Sequence, residues 1–410
     1  MKEGHLMQNK PVTAGNKGPD VRCDCFVTLE LTATGGLELD IDSKVGSLYG
    51  VQIRTLAQTL LVHFGIEHAR LRVEDSGAFD FVLAARIEAA VRQLLPQVPA
   101  YLPELIEENC YSSSAERMRF SRLYIPGNSP KMMINAGIYG AHGVILDLED
   151  SVPPAKKDEA RLLVRNALRQ VDFYGAERMV RINQLPRGLE DLDQLVPHNL
   201  HLVLLPKCEG REQIDQVNAR IGQLQEQHGQ SGEIYLMPII ESSLGVIKAY
   251  EIASAPNVVA VAIGLEDYCA DLGVKRTTAS SESLYAKSAL VNACSAAGVQ
   301  AIDSVFSDFQ DTEGLIATLR QGIALGFQGI GCIHPAQVPI VNDLYAPSAE
   351  EIAYARKVVL CFEEAEKKGL GVVALGSKMI DPPVVLRALQ TIDRALAAGK
   401  LDKDWRTEHE

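Results

Sequence analysis

The chain has 410 residues, of which 47% are hydrophobic and 23% charged, with a formal charge of −13. This composition is ordinary for a globular protein, the length exceeds one small core, and the charge argues against non-specific nucleic-acid or anionic-membrane binding. The eight cysteines (23, 25, 110, 208, 269, 294, 332 and 361) have no C-x-x-C or Cys/His metal spacing. No run is long enough to span a bilayer and M-K-E-G-H-L-M-Q-N-K has no signal-like core, so a reduced, cytoplasmic protein is expected.

The first 20 or so residues are polar and read as a loose terminus. F-V-T-L-E-L and L-E-L-D-I-D then alternate with period two around a Gly-Gly signal, which predicts a hairpin. Apolar positions between Ser43 and Phe64 follow helical spacing, A-R-L-R-V-E-D reads as a strand, and F-V-L-A-A-R-I-E-A-A-V-R-Q-L-L as a helix. The result is a small α+β domain over 1–97. Residues 98–118, with Pro99, Pro103 and Ser112-Ser113-Ser114, read as a linker.

From 119 to 345 the pattern changes. Eight short apolar segments follow: R-L-Y-I-P-G, G-V-I-L-D-L-E-D, R-M-V-R-I-N-Q, L-H-L-V-L-L-P-K, E-I-Y-L-M-P-I-I-E-S, V-V-A-V-A-I-G-L-E-D, Q-A-I-D-S-V-F-S-D and F-Q-G-I-G-C-I-H-P. Most are separated by helix-like stretches. Eight strand–helix repeats predict an α/β fold, a (β/α)8 TIM barrel, with an open doubly wound sheet as the alternative. No G-x-G-x-x-G or P-loop supports that alternative. Residues 346–410 read as a C-terminal helical and lid extension.

In a barrel the chemistry sits at the C-terminal ends of the strands. Nearly every apolar run here ends in a charge: Asp147, Glu149 and Asp150, then Arg181, Lys207, Glu241, Glu266 and Asp267, Asp303 and Asp308, and His334. Glu241 and Asp267 close adjacent strands, and two carboxylates with room for water suit Mg²⁺ (or Mn²⁺) as a hard cation. Such an ion would polarise a 2-oxo or 2-hydroxy acid, and Arg181 would hold a carboxylate or a developing enolate oxygen. These parts match carbon–carbon bond cleavage or formation beside a carbonyl. Lys207 keeps a Schiff-base mechanism open as the runner-up.

R-F-S-R-L-Y-I-P-G-N, V-I-L-D-L-E-D-S-V, V-R-I-N, L-P-K, P-I-I-E-S, I-G-L-E-D-Y-C-A-D-L-G, G-F-Q-G-I-G-C-I-H-P-A-Q-V and L-G-V-V-A-L-G-S-K-M-I-D-P-P-V occur in this order. Together they resemble the β subunit of citrate lyase, within the HpcH/HpaI aldolase and citrate lyase superfamily of Mg²⁺-dependent barrels. The resemblance implies Glu241 and Asp267 as metal ligands and Arg181 as the substrate partner. It places Asp147 and Glu149 at the pocket floor, and Arg119 with the Pro126-Gly127 turn against the thioester's arm. It makes Asp381 a lid and proton-transfer residue that reaches a neighbouring subunit. Phe120 and Ile330 stand where relatives often have arginine and lysine.

The first domain resembles the citrate lyase γ subunit, an acyl carrier, through P-V-T-A-G, C-D-C-F-V-T-L-E-L, I-D-S-K-V and D-S-G-A-F-D-F-V-L-A-A-R-I-E-A-A-V. The family's attachment serine precedes an Asp by two residues; with Asp24 in register, that position is Arg22. No prosthetic group is expected on this carrier-like domain.

Together these resemblances imply a lyase that cleaves a 3-hydroxy-3-carboxyacyl thioester (citramalyl-CoA or citryl-CoA type) to an acetyl thioester and a 2-oxo acid. Expected partners are the acyl-CoA or acyl-carrier thioester, the oxo acid, further copies of the chain (a trimer or larger) and other citrate lyase-type subunits. A non-catalytic scaffold of such a complex, or an aldolase on small 2-oxo acids, are the alternatives.

Overall fold

A computed structural model describes residues 10–277, 279–367 and 369–406. Its N-terminal sheet contains β1 (Val12–Gly15), β2 (Cys25–Leu31), β3 (Leu37–Ser43) and β4 (Ala69–Asp75), in the order β1-β2-β4-β3. β2 runs antiparallel to β1 and β4, whereas β3 runs parallel to β4.

The expected hairpin is therefore corrected, because β4 lies between the two strands that were to pair. β4 has the better inward face (Ala69, Leu71 and Val73, all buried) and takes the centre. β3 is left at the edge with Glu38, Asp40 and Asp42 along one side, and Arg70 and Arg72 of β4 pair with Glu38 and Asp40. The helix Gly46–His63 makes the crossover that a parallel pair requires. The loose terminus is corrected as well: Val12–Gly15 is a strand in register with Phe26–Leu29. Residues 1–9 lie outside the described residues.

The helix Asp80–Leu94 is buried along its whole middle, Phe81 to Val91. One side packs on the N-terminal sheet and another on the barrel helix Lys157–Gln170, so a single apolar core runs through both domains. Its two central charges are fully enclosed and both are paired. Arg86 meets Asp24 (3.0 and 2.9 Å) and Glu159 (3.4 Å), while Glu88 meets Arg165 (3.0 and 2.7 Å). In the connecting segment, one 3-10 turn (Glu107–Asn109) is pinned where the buried Asn109 amide donates to the Leu168 and Val171 carbonyls.

The eight apolar runs become eight parallel strands: β5 (Ser121–Pro126), β6 (Gly143–Asp147), β7 (Glu177–Arg181), β8 (Leu202–Leu205), β9 (Tyr235–Ile240), β10 (Ala260–Ile263), β11 (Gln300–Ile302) and β12 (Ile330–Cys332). Their order is β11-β10-β9-β8-β7-β6-β5-β12. A parallel bridge between Asp303 and Ile330 closes the ring. Side chains alternate as the pleat requires. Ile145, Met179, Leu204, Met237 and Ile302 fill the interior, while Leu123, Val144, Val180 and Val203 pack beneath the helices.

Two helices, Ala349–Lys367 and Pro382–Ala397, and a small hairpin of β13 (Val373–Leu375) and β14 (Lys378–Ile380) form the C-terminal extension. They enclose their own apolar cluster around Val358, Phe362, Ile380, Ile392 and Trp405. No helix among the described residues is long and apolar enough to cross a membrane.

Candidate active site

The C-terminal ends of the barrel strands open into a cavity of about 520 Å³ lined by Asp147, Arg181, Glu241 and Asp267 among others. Strand direction alone explains the convergence, since each of these residues is the last of its strand or lies just beyond it.

Arg181, the last residue of β7, forms a two-pronged pair with Asp147, the last residue of β6: Nε to Oδ1 at 2.7 Å and Nη2 to Oδ2 at 2.8 Å. Its remaining nitrogen, Nη1, lies 3.0 Å from Glu149 and 3.5 Å from Asp150, and the guanidinium sits 5.4 Å from the Tyr124 ring centroid. Burial would raise the Asp147 carboxyl, but the hydrogen bonds and charge of Arg181 outweigh it and hold the group below the usual range. For Glu149 burial wins, so its carboxyl is raised despite Arg181.

Across the mouth, Glu241 is only 8% exposed and accepts the backbone N–H of Lys207 at 2.9 Å. Burial pushes its carboxyl up to about 7, with Arg181 compensating only in part. Lys207 takes a left-handed backbone (φ 47°) that directs its own N–H to Glu241, while its Nζ lies 3.2 Å from Asp267. Gly264 precedes the short helix bearing Asp267, and a Cβ there would sit 2.4 Å from the Glu241 Oε1. Only glycine lets that carboxylate lie against the turn.

A buried carboxylate short of positive charge, a second one beside it and open cavity between them fit a hard divalent cation. Among the described residues, no group of three or more His, Cys, Asp or Glu side chains could hold a metal ion. The chain would supply Glu241 and Asp267, leaving the other positions to water and substrate oxygens.

The Pro126-Gly127 turn stands at this end of the barrel. Gly127 N–H donates to the Asp147 carbonyl at 2.7 Å, and a Cβ at Gly127 would lie 2.5 Å from that oxygen. The next residue, Asn128, accepts from Asn16 and Arg86 of the N-terminal domain at 3.3 and 3.4 Å. That domain's Asp24 corner therefore abuts the loop beside the mouth. Arg22 is exposed there and bonds only to local carbonyls.

Arg119 requires a correction. It precedes β5, hence lies at the opposite end of the barrel, with no solvent exposure and a two-pronged pair to Glu177 at 2.8 Å in each arm. A residue before a strand belongs to the N-terminal rim, so it cannot frame a thioester arm at the mouth. Asp381 is not brought to the pocket of its own chain; it caps the helix Pro382–Ala397 by accepting the Val384 N–H at 3.3 Å. His334 stacks on Phe309 (4.8 Å between centroids) and Asp308 turns toward Gln310, both outside the cavity lining. Asp303 does line the cavity and is paired with the buried Lys287 at 2.7 Å.

Arg122 and Tyr124 are polar lining residues that the sequence does not single out. A charge in the middle of R-F-S-R-L-Y-I-P was the available signal, since an arginine at an inward strand position needs a reason.

Residues 121–335 match the family model described as HpcH/HpaI aldolase/citrate lyase, and residues 12–94 match the acyl carrier model described as malonate decarboxylase delta subunit. Citrate lyase subunit beta of Leuconostoc mesenteroides subsp. cremoris is 38% identical over 70% of this chain and 97% of its own. Human mitochondrial citramalyl-CoA lyase is 31% identical over 75% and 94%. Among solved structures, the CitE protein of Mycobacterium tuberculosis, in complex with magnesium, acetoacetate and coenzyme A, is 31% identical with a TM-score of 0.57. That match covers 68% of this chain and 98% of that one.

Proposed function

This chain belongs to the HpcH/HpaI aldolase/citrate lyase family, and on that premise we propose that it is a Mg²⁺-dependent carbon–carbon lyase acting on a 3-hydroxy-3-carboxyacyl thioester. Citramalyl-CoA and citryl-CoA are the substrate types, giving an acetyl thioester with pyruvate or oxaloacetate respectively. The observation that carries this reading is the facing of two sets of groups across one cavity: Glu241 with Asp267, and Arg181 with Asp147. Glu149 is not at the floor of this cavity but pairs with Arg181 from behind it, in the neighbouring pocket lined by Lys157 and Asn183. Relatives whose names are citrate lyase subunit beta and citramalyl-CoA lyase support the reaction class.

Bound Mg²⁺ would supply Lewis acidity to the carboxylate and oxo group of the 2-oxo acid portion. The protein groups do the rest. Cleavage breaks the bond between the hydroxyl-bearing carbon and the carbon next to the thioester carbonyl. The hydroxyl loses its proton as its oxygen becomes the oxo group, and the bonding pair leaves on the acetyl thioester as its enolate, which takes up a proton to give the acetyl thioester. Arg181, locked in plane by Asp147, donates to the oxygen that becomes the oxo group. Glu149 shares Arg181 and, with its raised carboxyl, is suited to take or return a proton. Lys207 Nζ lies 3.2 Å from Asp267, a contact the lysine would give up if that carboxylate held a cation.

We read residues 1–97 as a carrier-like domain without a prosthetic group, 98–118 as its connection, 119–345 as the lyase barrel and 346–410 as a lid. Asp381, standing outside its own pocket, would complete a neighbour's site in a trimer or larger assembly. The thioester's arm would pass over Pro126 and Gly127.

A coupled assay of the full chain with citramalyl-CoA and citryl-CoA, with and without Mg²⁺, tests the function. Release of pyruvate or oxaloacetate only with the metal is expected. No turnover of either thioester by metal-replete protein refutes it.

A further inference from the structure

Arg122 is a cation in the barrel interior with no described carboxylate to balance it. Its side chain, 1% exposed, crosses the interior from β5 and places Nη1 2.9 Å from the Met237 sulfur on β9. Nε has no hydrogen-bond partner. A thioether is a weak acceptor, so Nη1 is only weakly satisfied and Nε not at all.

Its surroundings do not explain it as scaffolding. The other enclosed arginines of the chain are held by acids or carbonyls: Arg86 by Asp24, Arg119 by Glu177, Arg165 by Glu88, and Arg178 by the Asn199 and Tyr111 carbonyls. Burial of a charge without such partners is costly and persists where something else offsets it. Arg122 also lines the floor of the cavity that holds Arg181 and Glu241. Its neighbour in register is Gly331, where a Cβ would fall 2.7 Å from Val305 and 3.0 Å from Tyr124. The missing side chain keeps that side of the floor clear.

We propose that Arg122 is a specificity-determining residue that receives a second carboxylate of the substrate at the cavity floor. Resting on the lyase reading above, this assigns the selected 2-oxo acid portion to the dicarboxylic class, the citryl type rather than the citramalyl type. One carboxylate and the oxo group face Glu241, Asp267 and Arg181 at the mouth. The other projects down the barrel axis to Arg122, where a planar fork meets it in a dry environment.

The test uses the full chain with MgCl₂ and two probes, oxaloacetate and pyruvate, whose binding is read by calorimetry and by thermal shift. Wild-type protein should favour oxaloacetate by about 100-fold, the scale of a charged hydrogen-bonded pair in a buried site. Arg122→Met should abolish that preference while pyruvate binding stays within about 3-fold, and Arg122→Lys should retain part of it. Without ligand, R122M should melt at or above the wild-type temperature, because an unbalanced charge has been removed.

An unchanged oxaloacetate preference in R122M overturns the proposal, as does equal binding of both acids by wild-type protein. A variant that melts lower and loses both acids together makes Arg122 a structural residue and also overturns it. Failure of wild-type protein to bind either acid, together with no thioester turnover, brings down the lyase reading itself.

Discussion

Glu88 and Arg165 meet across the junction of the two domains through hydrogen bonds of 3.0 and 2.7 Å, and neither side chain has any solvent exposure. Arg165 also bonds Asn166 and the Tyr101 carbonyl, and Glu88 also bonds Arg92 and the Tyr101 N–H. An acyl carrier that delivers a swinging arm must move; this one is held to the barrel helix by a satisfied, buried network.

Removing one partner should therefore be expensive. Glu88→Ala is expected to destabilise the protein by about 3–5 kcal/mol, because Arg165 stays buried without its anion. A double variant with Arg165→Met should lose less than the sum of the two single changes. Urea unfolding of the four proteins gives the cycle directly.

The Glu241 carboxyl is raised from 4.5 to about 7 by burial, so the folded protein binds a proton there that the unfolded chain releases. With the raised value, this group favours folding at low pH and loses that contribution as pH climbs from 4.5 to 7. Metal-free protein should accordingly melt lower at pH 8 than a Glu241→Gln variant. Mg²⁺ should raise the melting temperature of the wild type, increasingly above pH 7, and leave the variant unmoved.

Arg181 binds Asp147 with two prongs and forms an ion pair with Glu149 at 3.0 Å, a pattern lysine cannot reproduce. Arg181→Lys should lower kcat by about 100-fold or more. Its Mg²⁺ affinity, read by calorimetry, should stay within about 3-fold of wild type, since Arg181 is not among the assigned ligands. An equal loss in metal binding would move Arg181 from the substrate to the cation.

In the register proposed for the carrier-like domain, Arg22 takes the place of the attachment serine, and no arginine forms a phosphodiester. Intact-mass measurement of protein from its natural source should return the mass of the unmodified chain. A CoA-derived adduct would restore the carrier role.

How far the amino-acid pattern reaches is clearest in particular elements. The eight barrel strands could be found because each is a short apolar run and nearly all are closed by a charge, and both facts follow from one geometry, interior strands with a working rim. Glu241, Asp267, Arg181 and Asp147 were visible for the same reason. Which strand pairs with which was not visible in the N-terminal domain. β2 and β3 both alternate, and only the tertiary competition for the central position lets β4 separate them. The short P-V-T-A-G segment, with a proline before it and a glycine at its end, carries too little pattern to be seen as a strand without its partner. Arg119 was assigned by motif, although its place before β5 already assigns it to the far rim. Arg122 hid in plain view, because an arginine two residues into a strand resembles the polar residue that commonly starts one.

The ring closes at its thinnest joint. β11 and β12 have three residues each, and between them run only a bridge at Asp303 and Ile330 and the hydrogen bonds from Asp303 N–H to Gly329 and from Gln328 N–H to Ala301, both 2.8 Å. Asp303, Ser304 and Val305 continue from that seam into the cavity wall. Amide hydrogens along this seam should exchange before those of β6 to β9, so the barrel breathes on the side where its cavity would admit or release a ligand.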